Sequence, residues 1–248
     1  MVIFEKEDFF IMTEQHEHAS LSRDLAIQLQ DQHLKDIKRK KDIFVAIKEH
    51  DRGWIDLDVA PLWNDKKLSP YSFIDYPIPI KLAFYRKGID EVMNHNLFAA
   101  MLCSIHYVRF FDGMKGDSNI DHFVAKEKKR QEEIMNLIDI DEKEQNASLE
   151  MLKYTDTLSL FFCMQEAAMT RENMHDWFKG GIYLGKKKFD VVWKDRHHVI
   201  LNPFPFKGFF KVTYKYKAVN KRDISTVGIL EAYSHTKDEY HTVHIISK

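Results

Sequence analysis

Several helical stripes in this chain that are otherwise suited to a hydrophobic core each carry one histidine or aspartate, and a buried polar group must find a partner. Residues three and four apart share one face of a helix. On that spacing His18 lies with Leu21, Leu25 and Leu29, whereas His16 turns away with Ser20 and Arg23. Ile43, Ala46 and Ile47 lead to His50, and Phe44 and Ile47 lead to Asp51. Neighbours about 100° apart on a helix can both reach one point beside its axis. Ile89, Val92, Ala99 and Cys103 lead to His106, and the small residues Ala99, Ala100 and Cys103 leave room beside it. Leu149 and Leu152 lead to Asp156, with Leu160 and Cys163 following. Imidazole and carboxylate together are the ligands of divalent transition metals. A hydrogen-bonded polar core is the other structure this pattern allows.

Around these stripes the helical period covers residues 14–40 (with Thr13 as N-cap), 42–50, 89–111, a polar stretch 120–138, and a segment from Ser148 to about Met169. Pro61, Pro70, Pro77 and Pro79 make 54–80 an irregular loop. After Gly180-Gly181 the period changes to alternation, at 188–193, 197–201, 210–217, 226–233 and 241–246. The chain therefore reads as mainly α, its core all-α. A helical bundle spans residues 1–180, and a small antiparallel β segment, 181–248, packs on it.

Net charge is -1, which excludes a dedicated binder of nucleic acid polymers. Acids at the N-terminus, and no apolar run near the roughly 18 residues of a membrane span, point to a cytoplasmic protein with no membrane partner. Cys103 and Cys163 each sit inside an apolar pattern and are expected as buried thiols. There is no Gly-rich phosphate loop, no cysteine zinc pattern and no Gly-x-Ser-x-Gly turn. His197, His198, His235, His241 and His244 are not expected to bind metal. Self-association is left open.

One histidine, a later His-Asp doublet and a distant aspartate are here His18, His50-Asp51 and Asp156. That order is similar to the ligand order of the HD superfamily of metal-dependent phosphohydrolases. The finer text is Gln15-His16-Glu17-His18-Ala19, His50-Asp51-Arg52-Gly53-Trp54 with Asp58 and Pro61, Ser104-Ile105-His106-Tyr107-Val108-Arg109, and Tyr154-Thr155-Asp156-Thr157-Leu158-Ser159-Leu160. It resembles a bacterial family catalogued as a domain of unknown function (DUF3891-like). The segment between doublet and last aspartate, more than one hundred residues, is long for the superfamily, and His106 is extra to its minimal ligands.

The superfamily resemblance implies an HD-like helical bundle and one or two ions of Mn²⁺, Fe²⁺, Ni²⁺, Co²⁺ or Zn²⁺ held by His18, His50, Asp51 and Asp156. His106 would serve a second ion, a phosphate, or general-acid catalysis. The implied activity is hydrolysis of a small phosphoester or nucleotide. In it His106 protonates the leaving group, Arg109 binds phosphate, and Trp54 walls the pocket or stacks a base. A di-iron oxygenase of HD type, and a non-catalytic protein with a structural metal or polar core, are the alternatives.

Overall fold

Alternating residues at the two ends of the chain meet in one sheet. The computed structural model describes residues 1–248. The N-terminal strands β1 (Val2–Glu5) and β2 (Phe9–Thr13) form a hairpin. Near the other end lie β5 (Ile182–Leu184), β6 (Lys187–Asp195), β7 (His198–Asn202), β8 (Phe210–Asn220) and β9 (Glu239–Ser247). β2 pairs antiparallel with β8, Ile11 opposite Ala218, and so joins the two ends. The sheet runs β1-β2-β8-β9-β7-β6-β5, and β7 and β9 are parallel. A two-stranded ribbon, β3 (Trp63–Asn64) with β4 (Ser69–Pro70), stands apart from it.

The helices are α1 (Gln15–Ile27), α2 (Lys40–Glu49), α3 (Ile55–Val59), α4 (Ile78–Met93), α5 (Leu97–Arg109), α6 (Ser118–Leu137), α7 (Glu142–Cys163), α8 (Asp176–Lys179), α9 (Lys221–Val227) and α10 (Ile229–His235). A single cluster of 51 buried hydrophobic residues joins both layers. Leu25, Ile47, Leu102 and Leu158 enter it from helices, and Phe189, Val199, Val212 and Val243 from strands.

The expectation of a mainly α, or all-α, HD-like helical bundle with a small C-terminal antiparallel region is therefore wrong. The chain is half helix beside a curled seven-stranded sheet, an α/β fold. Alternation marks β6, β7, β8 and β9, but the β2–β8 and parallel β7–β9 pairings are long-range and leave no local mark.

Four local expectations change as well. α1 stops at Ile27, because the next residues turn to backbone partners elsewhere: Gln30 N–H donates to Pro205 O (3.0 Å) and Lys207 N–H to Gln28 O (2.9 Å). The stretch 89–111 belongs to two helices, since the Asn96 side chain accepts from Ala99 N–H and starts α5 afresh. α4 begins inside the proline-rich stretch with Pro79 in its first turn, where the missing N–H costs nothing. Residues 226–233 are helical: the Asn220 side chain caps α9, and Gly228 (φ +84°) separates it from α10.

Two further details position the site. Thr13 does not cap α1; Asp58 does so from α3, its Oδ2 accepting Gln15 N–H at 2.6 Å while its Oδ1 meets the Met1 amine at 2.5 Å. Gly53, just past the His-Asp doublet, lies against Gly88 of α4; a Cβ on Gly53 would stand 2.5 Å from Phe84 O. No helix is long and apolar enough to cross a membrane.

Candidate metal centre

The packing of α1, α2, α5 and α7 brings the inward polar residues together. His18 comes from α1, His50 and Asp51 from the end of α2, His106 from α5 and Asp156 from α7. His18, His50 and His106 are 1%, 0% and 1% exposed and Asp51 4%, so water cannot solvate them. Their donor atoms form two overlapping groups that can hold an ion: His18, His50 and Asp51; and His50, His106 and Asp156.

The separations bear on whether the cluster could hold an ion. His18 Nε2 stands 3.2 Å from Asp156 Oδ1 and 3.4 Å from Asp51 Oδ2. His50 Nε2 stands 3.4 Å from Asp51 Oδ2 and 3.6 Å from Asp156 Oδ1, and His106 Nε2 3.7 Å from Asp156 Oδ2. A charge-assisted hydrogen bond closes to about 2.7–2.9 Å. Nitrogen and oxygen ligands about 2.0–2.2 Å from one ion instead stand about 3.0–3.5 Å from each other. Three of the five separations have the second spacing, the other two are slightly wider, and none is as short as a charge-assisted hydrogen bond.

Hydrogen bonds behind the rings point bare nitrogens inward. His50 Nδ1 meets Ile47 O at 2.7 Å, which fixes one proton there, so that the neutral ring would offer the Nε2 lone pair to an ion. That Nε2 is buried without a hydrogen-bond partner. His18 Nδ1 meets Ser159 Oγ at 2.5 Å; the Ser159 proton goes to Asp156 O (2.8 Å), so the hydroxyl accepts from the ring. Ser22 Oγ, 2.7 Å from Ser159 Oγ, completes this support. His106 Nδ1 and Gln15 Oε1 are further buried atoms without partners. These orphaned atoms and the mixed His/Asp donor set fit a divalent ion.

The electrostatics agree. Burial alone would disfavour charge on every member, yet the paired groups overcome it. The His50 and His18 rings hold the Asp51 and Asp156 carboxylates below the usual range, and the two carboxylates hold His18 and His50 above theirs. For His106 burial wins and presses the ring down to about 3. A bound cation would take over the neutralising role of the ring protons.

The cluster opens on a cavity of about 480 Å³. Its walls include Phe73, Ile78, Phe110, Met114 and Trp177. Arg109 lines it, forms no ion pair, and has a buried Nη1 without a partner. Lys81 lines it too, 6% exposed, with its Nζ 2.8 Å from Phe73 O. Trp54 belongs to the same wall but is 1% exposed, edge-on to Tyr76 and Tyr85, with ring centroids 5.4 and 5.8 Å away. Sequence reasoning gave no role to Ser22, Ser159 or Lys81. The serines had a signal, standing four residues after His18 and three after Asp156 on the same helix faces. Lys81 had none, because its helix was hidden among prolines.

A family model described as "Protein of unknown function (DUF3891)" matches residues 1–221. No curated protein and no solved structure matches the chain.

Proposed function

Starting from a chain that belongs to the DUF3891 family, we propose that it is a metal-dependent phosphohydrolase of HD type acting on a small phosphoester or nucleotide. The observation that carries this reading is the convergence of His18, His50, Asp51 and Asp156, in the superfamily's order, in two overlapping donor groups beside a cavity that also holds two cationic side chains.

In this reading the two carboxylates and the His18 and His50 Nε2 atoms hold the ion. His106 reaches the same point and is assigned to the ion in preference to leaving-group protonation, because its Nε2 stands among the donors. When bound, the ion supplies Lewis acidity, which polarises a phosphoryl oxygen and acidifies a water. Arg109 binds and orients the phosphate through an otherwise unpaired guanidinium, and Lys81 adds a second positive charge to the same cavity. The apolar wall excludes water and fits an uncharged substrate body. Trp54, buried against two tyrosines, supports that wall and is not assigned to base stacking.

The test is metal content by elemental analysis, followed by hydrolysis of bis(p-nitrophenyl) phosphate and nucleoside monophosphates. We expect one or two ions per chain, loss of both metal and activity in Asp51→Ala, and retained metal with weakened substrate binding in Arg109→Gln. A parent protein that takes up no Mn²⁺, Fe²⁺ or Zn²⁺ would end this reading and leave a polar core.

A second reading is an HD-type di-iron oxygenase. It is favoured by the third imidazole and by the two overlapping donor groups. Iron retained through anaerobic purification, with oxygen uptake and no phosphoester cleavage, would select it. The non-catalytic reading with a structural metal is disfavoured by the cavity beside the cluster, since structural sites are closed.

A further inference from the structure

A second cavity, of about 370 Å³, shares no lining residue with the first. It is framed by the end of β2, the chain that follows α7, the β6–β7 turn, and strands β8 and β9.

Alternation along β8 puts Tyr214 and Tyr216 on one face, and both line the cavity. The wall is fixed by hydrogen bonds: Tyr214 Oη lies 3.0 Å from Phe162 O and 3.1 Å from His241 Nδ1, and His241 Nε2 lies 2.8 Å from Arg196 O. The His241 ring is in turn parallel to Trp193, at an interplanar angle of 4°. Such a wall is organised before any ligand arrives, which spares the ligand an ordering cost.

Two buried polar atoms of the lining are left without partners, the Thr13 hydroxyl, which can donate or accept, and a donor on Gln165. Gln165 is 4% exposed, and its Oε1 accepts His175 N–H at 3.0 Å, which settles the amide's orientation. Its Nε2 is then buried without a partner. A buried donor in that state costs about 1–3 kcal/mol and calls for an acceptor. Arg196, at the β6–β7 turn, lines the same cavity and forms no ion pair, while Lys6 and Glu166 neutralise each other at 2.5 Å. Among the lining residues the uncompensated charge is positive, while Glu239, outside the lining, accepts the Tyr216 hydroxyl proton at 2.9 Å.

We propose that this cavity binds a small planar aromatic carboxylate, its ring against the tyrosine wall and its carboxylate answered by Gln165 and Arg196. A cationic ring would face Arg196. A neutral ring would leave both donors unanswered, and a compact inorganic anion would leave the aromatic wall unused. The site is separate from the candidate metal centre and does not rest on the reading of that centre.

Calorimetric titration with benzoate, 4-hydroxybenzoate and indole-3-carboxylate tests it, with indole and tryptamine as the neutral and cationic counterparts. We expect saturable binding of at least one acid, about tenfold or more weaker for Arg196→Gln and for the neutral and cationic rings. Gln165→Glu keeps the acceptor for His175 N–H but sets a carboxylate against the ligand, and should abolish binding; the buried carboxylate also lowers the thermal midpoint, so the titration is run well below it, on protein shown to be folded by circular dichroism. Asp51→Asn should bind the acid as the parent does. No binding of any of the three acids would overturn the proposal. So would equal affinity for indole and its acid, or binding lost in Asp51→Asn but kept in Arg196→Gln.

Discussion

Ser159 sits one helical turn beyond Asp156, and through a single hydroxyl it decides which nitrogen His18 offers to the cluster. Partners of this kind behind a metal ligand are worth about 10–100-fold in metal affinity. Ser159→Ala is therefore expected to weaken ion binding by about that factor in calorimetric titration, while Ser159→Thr keeps most of it. An unchanged affinity in Ser159→Ala would mean that the hydroxyl only fills space. Lys81 makes a different prediction. Burial holds its ammonium down to about 8 against an ordinary 10.5. The unfolded chain thus binds more protons between these values, and this group's contribution to stability rises with pH across that window. Its anion-binding charge behaves oppositely, present below about 8 and lost above. Sulfate, whose own charge is constant there, should bind the cavity severalfold more weakly at about pH 9 than at about pH 7, and Lys81→Met should flatten the profile. A parent profile already flat would remove Lys81 from anion recognition. The five clustered His and Asp were legible because a helix displays its period in its sequence; Lys81 was not, since its helix starts among prolines that read as loop.

At the scale of elements, the His-Asp doublet is held in place by a contact between two backbones. Gly53 follows the doublet and meets Gly88 of α4 so closely that a Cβ on Gly88 would overlap the Gly53 backbone nitrogen. Neither clash falls on the end of a flexible side chain, so the helix itself must move. Gly88→Ala is expected to lower stability by about 1–3 kcal/mol in urea unfolding, and to loosen the ion by displacing Asp51. A variant as stable as the parent would show that α4 shifts freely. Gly53 was visible in the sequence as the glycine after the doublet, but its reason was not, because Gly88 lies in a different helix. The same limit explains the helix boundaries. Asn96 and Asn220 are capping residues that local reading can find, whereas the stop of α1 at Ile27 depends on Pro205 and Lys207, far along the chain.

For the whole molecule, the largest error was to read the sheet as a late and small addition. Alternation identified most of the C-terminal strands, but it carries no information on partners, so nothing local linked the β1–β2 hairpin to them. In the fold that hairpin completes the sheet by pairing with β8, and its far end leads directly into α1. A fragment of residues 1–180 would leave β2 unpaired on one edge and the helices' apolar faces uncovered. It is expected to lack the cooperative urea transition of the full chain, and a parent-like midpoint would refute this. The β2–β8 pairing also sets an order in time. A ribosome releases the chain from its first residue onward, so His18 emerges long before the strand that fixes the helix carrying it. His18 is the first of the five donors to be synthesised, and β8, which pairs with the strand leading into its helix, follows all five, so the framework around an ion is complete only when nearly all of the chain has been made.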